Sequence, residues 1–168
     1  MIVTSTGIIN HQIEDKYGKR GTEFNENGMP TYSLPFKIQQ APKDAISFAL
    51  VLEDKDAFPV SGGFSWIHWT AANITRLELL ENESQTATDF VQGVNSCISI
   101  QGGQQSKELS SFYGGMAPPD APHTYELHLY ALDTMLDLEN GFYMNQLYKK
   151  MDGHMLDQVT LKGVYDHS

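Results

Sequence analysis

The chain has 168 residues, of which 40% are hydrophobic, and a formal net charge of −10 at pH 7. This length predicts one domain over residues 1–168, and the acidic balance excludes a general electrostatic surface for nucleic acid or an anionic membrane. Because Cys97 is the only cysteine, and neither a signal-peptide pattern nor an apolar stretch near about 18 residues occurs, we expect a cytoplasmic protein without intrachain disulfides or a transmembrane segment.

The strongest pattern in the first half of the chain is a two-residue alternation, which is typical of β-strands. Over residues 46–52 the bulky apolar side chains, from Ile46 to Leu52, share one face. Trp66–Ile74 is apolar on both faces, as expected of a strand buried between layers. Residues 76–82 then suit a single helical turn.

The second half of the chain adds two strands and one helix. His123–Leu132 alternates, with Tyr125 on the face of His123 and His128 on the opposite face. Residues 140–151 predict a short helix, and apolar residues leading up to Tyr165 predict a final strand. Many strands and few helices predict a mainly β protein, an antiparallel β-sandwich with a few short peripheral helices.

Two carboxylates follow the first predicted strand. Asp54 and Asp56 are separated by one residue and precede a proline-containing turn. In an extended backbone both side chains would point in similar directions and could serve one binding site. Acidic strand ends are also common as solvated turn formers, and the pattern alone favours that interpretation.

His68 is the second candidate, within the sequence SWIHW. Strand alternation places it with Trp66, and it places Ile67 and Trp69 on the other face. A histidine among tryptophans is usually a core residue bonded to backbone, whereas in a pocket a nearby carboxylate would tune its pKa. No HxH or HExxH pair occurs, so the sequence predicts neither a metal site nor a cofactor.

The richest candidate segment is YGGMAPPDAPHTY, at residues 113–125. Glycines at 114 and 115 allow close backbone approach and could expose N–H groups to an oxyanion. Prolines, among them Pro118, stiffen the loop before His123 and Tyr125. An ordinary Gly/Pro loop leading into a core strand explains the same residues equally well.

Taken in order, these motifs resemble the phosphatidylethanolamine-binding protein family, in its bacterial Raf-kinase-inhibitor-like branch. The family pattern D-P-D-A-P is matched by DKDAFP at 54–59, and a Trp/His-rich strand by WIHW at 66–69. The pattern Y-G-G-P-x-P-P-x-x-x-H-x-Y is matched at 113–125, and MDGHML at 151–156 is similar to the closing helix. The resemblance covers about residues 45–165 and implies a Greek-key sandwich.

The resemblance also implies which residues bind the ligand. Family pocket roles fall on Asp54, Asp56, His68, Gly115, Pro118, His123 and Tyr125. Three departures from the family pattern, Lys55, Phe58 and Met116, bear on the shape of the loops and the width of the pocket.

Three functions follow as hypotheses. The first is a non-enzymatic protein that binds a small anion or a phosphoethanolamine-like phospholipid head group, held by two partly protonated histidines and by backbone N–H groups near Gly115. The second is a phosphoester hydrolase in which the same histidines act as general acid and base. The third is an interaction protein with a vestigial pocket. The resemblance further implies a homodimer and a kinase or protease partner that the protein would modulate.

Overall fold

A computed structural model describes residues 1–168. The strands are β1 Ile2–Thr4, β2 Ile8–Ile9, β3 Gln12–Ile13, β4 Phe36–Gln39, β5 Ser47–Asp54, β6 Trp66–Ile74, β7 Glu78–Leu79, β8 Val91–Gln92, β9 His123–Leu132 and β10 Met155–Tyr165. The α-helices are α1 Phe58–Ser61, α2 Glu83–Thr86, α3 Lys107–Ser110 and α4 Met144–Met151, and short 3-10 turns occupy Asp15–Tyr17 and Ser96–Ile98. None of the helices has the length and apolar character that crossing a bilayer requires.

The strands form two sheets. The larger has the order β2-β3-β10-β9-β5-β6-β8, and the smaller has the order β1-β4-β7. After the long connection that follows β6, strand β9 pairs with β5 in the centre of the sheet. This order is consistent with the Greek-key expectation. The mainly β architecture with few short helices is thus confirmed, although β10 and β3 pair in parallel rather than antiparallel.

The central strands of the larger sheet, β5, β6 and β9, are buried on both faces. On its inner face, Leu50 and Leu127 pack with Phe36 of the smaller sheet in a core cluster. On its outer face, Val51 packs in a second cluster with Leu147 of α4. Two-sided burial explains why the central strands carry long apolar runs instead of a simple apolar–polar alternation.

The predictions for the central strands are largely confirmed. The segments expected at Trp66–Ile74 and His123–Leu132 coincide with β6 and β9. Tyr125 lies in the inner cluster and Tyr130 in the outer one, as the alternation along β9 requires. The strand expected at 46–52 begins at Ser47 instead and runs on to Asp54, which leaves Ile46 exposed.

The helical turn expected at residues 76–82 is wrong. Glu78 and Leu79 form β7, in which Leu79 pairs with Phe36 of β4 and is buried. The α-helix begins only at Glu83, since Asn82 before it has a left-handed backbone with φ of 64°. A short segment that completes a sheet edge therefore overrides a weak local helical preference.

The helix expected at residues 140–151 is shorter than expected. It begins at Met144, because the preceding residues are held by β8: the Asn140 side chain accepts a hydrogen bond from the Gln92 N–H, and the Gly141 N–H donates to the Gln92 carbonyl. The helix ends as expected at Met151, just before Gly153, which has a positive φ of 79°.

Candidate functional site

A cavity of about 320 Å³ opens where β5 ends, β9 begins and β6 passes between loops. Asp54 at the end of β5 pairs with Trp66 of β6 on one side and with Tyr125 of β9 on the other. The structure therefore brings three neighbouring strands of one sheet to a single mouth. The predicted site residues that line it are Asp54, His68, Gly115, Pro118, His123 and Tyr125.

His123 is held between two carboxylates. Its Nδ1 lies 2.8 Å from Asp54 Oδ2, and its Nε2 lies 2.8 Å from Asp120 Oδ1. Since carboxylate oxygens accept and each ring nitrogen must then donate, this geometry suits the doubly protonated imidazolium. Burial opposes the charge, but the hydrogen bonds that the ring donates to Asp54 and Asp120 outweigh this effect and raise the pKa of His123.

Asp54 is the fixed member of this group. It is 2% exposed, and both of its carboxylate oxygens are used. Oδ2 faces the His123 ring, while Oδ1 accepts a hydrogen bond from the Asp56 N–H at 2.9 Å. This second bond closes a turn directly after β5, so the local backbone orients the carboxylate before any ligand arrives.

His68 is neutral and is fixed in one tautomer. Its Nδ1 lies 2.6 Å from the Gly114 carbonyl oxygen, while the Gly114 N–H donates to the His68 carbonyl. A carbonyl only accepts, so Nδ1 carries the proton and Nε2 is left as an acceptor. Burial lowers the pKa of His68, and the charge of Asp54 only partly opposes this effect.

A β-bulge explains how His68 and Trp69 reach the same side of the sheet. Leu52 pairs with Trp69 and Glu53 pairs with Ile67, so that His68 is the extra residue on β6. Trp69 consequently packs in the inner core, and the rings of His68 and Tyr125 form a T-shaped pair with 5.1 Å between their centroids. The alternation expected from the sequence, with His68 and Trp69 on opposite faces, is wrong at this point.

These findings correct the expected electrostatics of the pocket. Two partly protonated rings were expected to share a phosphate, but only His123 favours the charged form, while His68 offers a lone pair. The residues that line the cavity include neither lysine nor arginine. The site is therefore a mixture of one cation, two carboxylates and neutral acceptors rather than a positively charged anion hole.

Backbone N–H groups near Gly115 were expected to bind an oxyanion, but those of Gly114 and Gly115 are already used within the protein. The Gly115 N–H donates to the Pro30 carbonyl at 2.9 Å, and the Gly114 N–H is used by His68. The glycine is required for close packing, because a Cβ at position 115 would lie 2.4 Å from the Tyr17 carbonyl oxygen. Gly115 thus shapes the cavity wall through its lack of a side chain.

Asp56 lies outside the cavity. Its Oδ2 accepts a hydrogen bond from the Thr124 N–H at 2.8 Å, and the side chain is exposed. The turn at Asp54 bends the chain, so the two carboxylates do not point in similar directions. Asp56 instead ties the loop after β5 to the start of β9, beside His123.

Tyr125 and Pro118 form parts of the wall. The Tyr125 ring is 1% exposed, and its hydroxyl makes no hydrogen bond within the protein. Burial and the nearby Asp54 charge raise the pKa of that hydroxyl. Pro118 anchors its loop, because its carbonyl oxygen accepts a hydrogen bond from Lys19 Nζ at 2.6 Å.

The three departures from the family pattern all point away from the cavity. Met116 is fully buried in the inner core, with its sulfur 3.1 Å from the Tyr113 hydroxyl. Phe58 is 60% exposed, and Lys55 is paired with Glu126 on the outer face at 2.8 Å. None of these three side chains lines the cavity.

Several lining residues were missed by sequence reasoning. Amide side chains of Asn27, Gln101 and Gln105 stand along the cavity, as does Cys97. They lie in loops and, for Cys97, in a short 3-10 turn, none of which carries a motif, and only folding brings them to the mouth of the cavity. Asp120 could have been found, since it precedes His123 by three residues within the quoted motif.

A second histidine–carboxylate group lies on the outer face of the same sheet. His128 Nε2 lies 2.9 Å from Glu53 and 3.5 Å from Glu126, and these three residues could together ligate a metal ion. However, Lys55 and Lys162 already pair with Glu126, at 2.8 and 3.1 Å. A cation would have to displace two ammonium groups, so the geometry favours a closed salt-bridge network.

The chain belongs to the phosphatidylethanolamine-binding protein family, whose model matches residues 4–166. It is 41% identical over 157 residues to the uncharacterized protein YxkA of Bacillus subtilis, covering 91% of this chain and 93% of that protein. Such relatives place it in the bacterial branch of the family.

Two solved structures have the same fold. The crystal structure of a phosphatidylethanolamine-binding protein homologue, CT736 of Chlamydia trachomatis, matches with a TM-score of 0.79 and 30% identity, covering 99% of this chain and 97% of that one. The YbcL structure of E. coli, described as a new member of the mammalian family, matches with a TM-score of 0.74. At 23% identity, with 98% and 96% of the two chains covered, the second match supports the fold alone.

Proposed function

We propose that this protein is a non-enzymatic binding protein for a small zwitterionic ligand that contains phosphate, such as a phosphoethanolamine-like head group. The observation that carries the proposal is the pairing of a cationic His123 with a neutral His68 acceptor in one cavity. An imidazolium N–H donates to a phosphate oxygen, whereas the His68 lone pair accepts from an N–H or O–H group of the ligand.

The charges around the cavity favour a zwitterion over a bare anion. His123 contributes one positive charge, whereas Asp54 and Asp120 each contribute a negative one. The chain as a whole has a net charge of −10. A dianion would therefore enter a negative field, while an ammonium group on the same ligand would be attracted to the carboxylates and to the faces of Trp66 and Tyr125.

The size of the cavity favours a head group over a whole lipid. A volume of about 320 Å³ is at the lower end of the range for small-molecule pockets. Apolar side chains such as Met29, Val60 and Ile67 also line the cavity, which suits the methylene groups between phosphate and ammonium.

Binding without catalysis is favoured because the cavity offers no activated nucleophile. Cys97 is the one thiol, and burial raises its pKa to about 11, so it is protonated and weakly nucleophilic at neutral pH. The serines lie in no nucleophile-elbow motif. A kinase or protease partner, a homodimer and a cytoplasmic location stay predictions within this proposal.

The test is titration calorimetry of the folded protein with O-phosphoethanolamine at about pH 6, where His123 is charged. We expect saturable binding that His123→Ala abolishes and that His128→Ala, the matched change on the other face of β9, leaves intact. Circular dichroism verifies that both variants are folded. Absence of binding to the folded wild type would overturn the proposal, and phosphomonoester turnover that His68→Ala removes would favour the hydrolase instead.

A further inference from the structure

The Nε2–H group of His123, which the proposed function assigns to the ligand, is already occupied in this structure. Asp120 Oδ1 lies 2.8 Å from it, in the position that a phosphate oxygen would take. One N–H group makes one strong hydrogen bond, so a ligand oxygen that binds there must first replace Asp120.

We propose that Asp120 is a specificity-determining gate of the pocket, which competes with anionic ligands for His123 and disfavours those that lack a cationic group. This inference rests on the proposed function and names the side chain that sets its selectivity.

Asp120 and Asp54 accept hydrogen bonds from the same ring, but their side chains differ in exposure and in their other contacts. The Asp54 side chain is 3% exposed, and its second oxygen is fixed by the Asp56 N–H. The Asp120 side chain is 50% exposed and lies on the loop between Pro118 and His123. Exposed ion pairs are worth little, because water and salt screen them. Asp54 therefore positions the ring, and Asp120 is free to leave it.

The base of the Asp120 loop is anchored while its tip is not. Lys19 holds the Pro118 carbonyl oxygen, and β9 fixes His123 from its first residue. Between these anchors, residues 119–122 are exposed. Rotation of the Asp120 side chain therefore opens Nε2 without moving the cavity wall.

The displaced carboxylate stays close to the mouth, because its backbone is tethered on both sides. There it repels a bare phosphate dianion and attracts an ammonium group on a zwitterion. The phosphate group of a zwitterion thus contacts the His123 cation, while its ammonium group contacts the Asp120 carboxylate. A ligand without the ammonium group replaces Asp120 but gains no compensating contact.

Removal of the gate changes affinity and selectivity in a defined way. A site that is closed part of the time binds with an affinity reduced by its open fraction, so Asp120→Ala is expected to tighten binding of inorganic phosphate about five-fold. Binding of O-phosphoethanolamine changes less, because loss of the ammonium contact offsets the gain. The preference for phosphoethanolamine over phosphate therefore falls.

Calorimetry of wild type, Asp120→Ala, Asp120→Asn and Asp56→Asn with both ligands is the test. Asp120→Asn retains an acceptor for Nε2 and should lie between wild type and Asp120→Ala. Asp56→Asn removes one negative charge near His123 without touching the ring, so its phosphate affinity should stay within about two-fold of wild type.

The outcomes separate the gate from the proposed function. Saturable wild-type binding together with unchanged or weaker phosphate binding in Asp120→Ala overturns the gate alone. An equal gain in Asp56→Asn overturns it as well, since general charge would then explain the effect. Absence of binding to every folded variant overturns the proposed function and the gate with it.

Discussion

His123 and His128 lie on the same strand, on opposite faces of one sheet, and each lies close to two carboxylates. The Nε2 of His128 is 2.9 Å from Glu53, and His123 is 2.8 Å from Asp54 and from Asp120. The two groups differ in what surrounds them. His123 borders a cavity without lysine or arginine, whereas the His128 group is closed by Lys55 and Lys162.

The comparison shows that a histidine close to two carboxylates does not by itself define a binding site. On the outer face, each charge has an opposite charge within the protein, and the Thr160 hydroxyl occupies the other nitrogen of His128 at 2.7 Å. On the inner face, an exposed carboxylate is the only cover on His123 Nε2, and His68 Nε2 makes no hydrogen bond. The candidate binding site therefore differs from the structural network in two ways: the partner of the His123 Nε2 can be replaced, and a cavity lies beside the ring.

The largest expected effect is that of His123→Ala on stability. It leaves the buried Asp54 charge without its ring partner, so we expect a loss of about 3 kcal/mol in the free energy of unfolding. His128→Ala should lose about 1 kcal/mol or less, because Glu126 keeps both lysines. Urea unfolding of both variants measures the difference, and equal losses would contradict the asymmetry between the two groups.

The cavity wall provides the next test. Gly115→Ala places a Cβ 2.4 Å from the backbone of Tyr17, so we expect a loss of about 2 kcal/mol and weaker ligand binding. Gly114→Ala is the matched control, since its Cβ would meet side-chain atoms of Met29 and Asn95 at the longer distance of 3.1 Å and no backbone atom as close as the Tyr17 carbonyl is to position 115. A Gly115→Ala protein as stable as the control would show that the wall is not tightly packed.

The pH dependence of His123 is expected to be smaller but diagnostic. Because its folded pKa is raised above the unfolded value of about 6.5, its contribution to stability is complete below that pH and is lost as pH rises through the folded pKa. Phosphate affinity should fall over the same range. An NMR titration of the His123 ring provides the measurement, and a midpoint below about 6.5 would argue against the double carboxylate contact.

The smallest expected effect is that of Tyr125→Phe. The buried Tyr125 hydroxyl has no partner within the protein, so its removal should leave stability unchanged or raise it by up to about 1 kcal/mol. Thermal unfolding of the variant gives the answer. A decrease of about 1 kcal/mol or more in the free energy of unfolding would contradict this expectation. It would indicate that the Tyr125 hydroxyl donates a hydrogen bond to Asp54.

The central strands could be predicted from the sequence because their periodicity is long and unbroken. Strand β9 was found to the residue, and its two faces carry the residues that alternation assigns to them. Short elements were less predictable. The two-residue β7 depends on pairing with β4, and the start of α4 depends on contacts of Asn140 with β8.

Only part of the candidate site could be predicted from the sequence: Asp56 lies outside the cavity, Asp120 and the amide side chains were missed, and the chemistry of the histidines was not predicted. The family resemblance predicted that Asp54, His68 and His123 lie in one pocket. No sequence pattern indicates which of the two histidine rings is protonated. That depends on the bulge at His68, on the Gly114 carbonyl and on Asp120. The roles of Gly115 and Met116 were likewise hidden, because both depend on the packing of distant segments.

The most direct test of the account is a crystal structure of the protein soaked with O-phosphoethanolamine at about pH 6, where the His123 ring is charged. The account predicts a phosphate oxygen at hydrogen-bond distance from His123 Nε2, with Asp120 turned away and no ligand at His128. A saturated crystal in which Asp120 still holds Nε2 and the ligand lies elsewhere would contradict it.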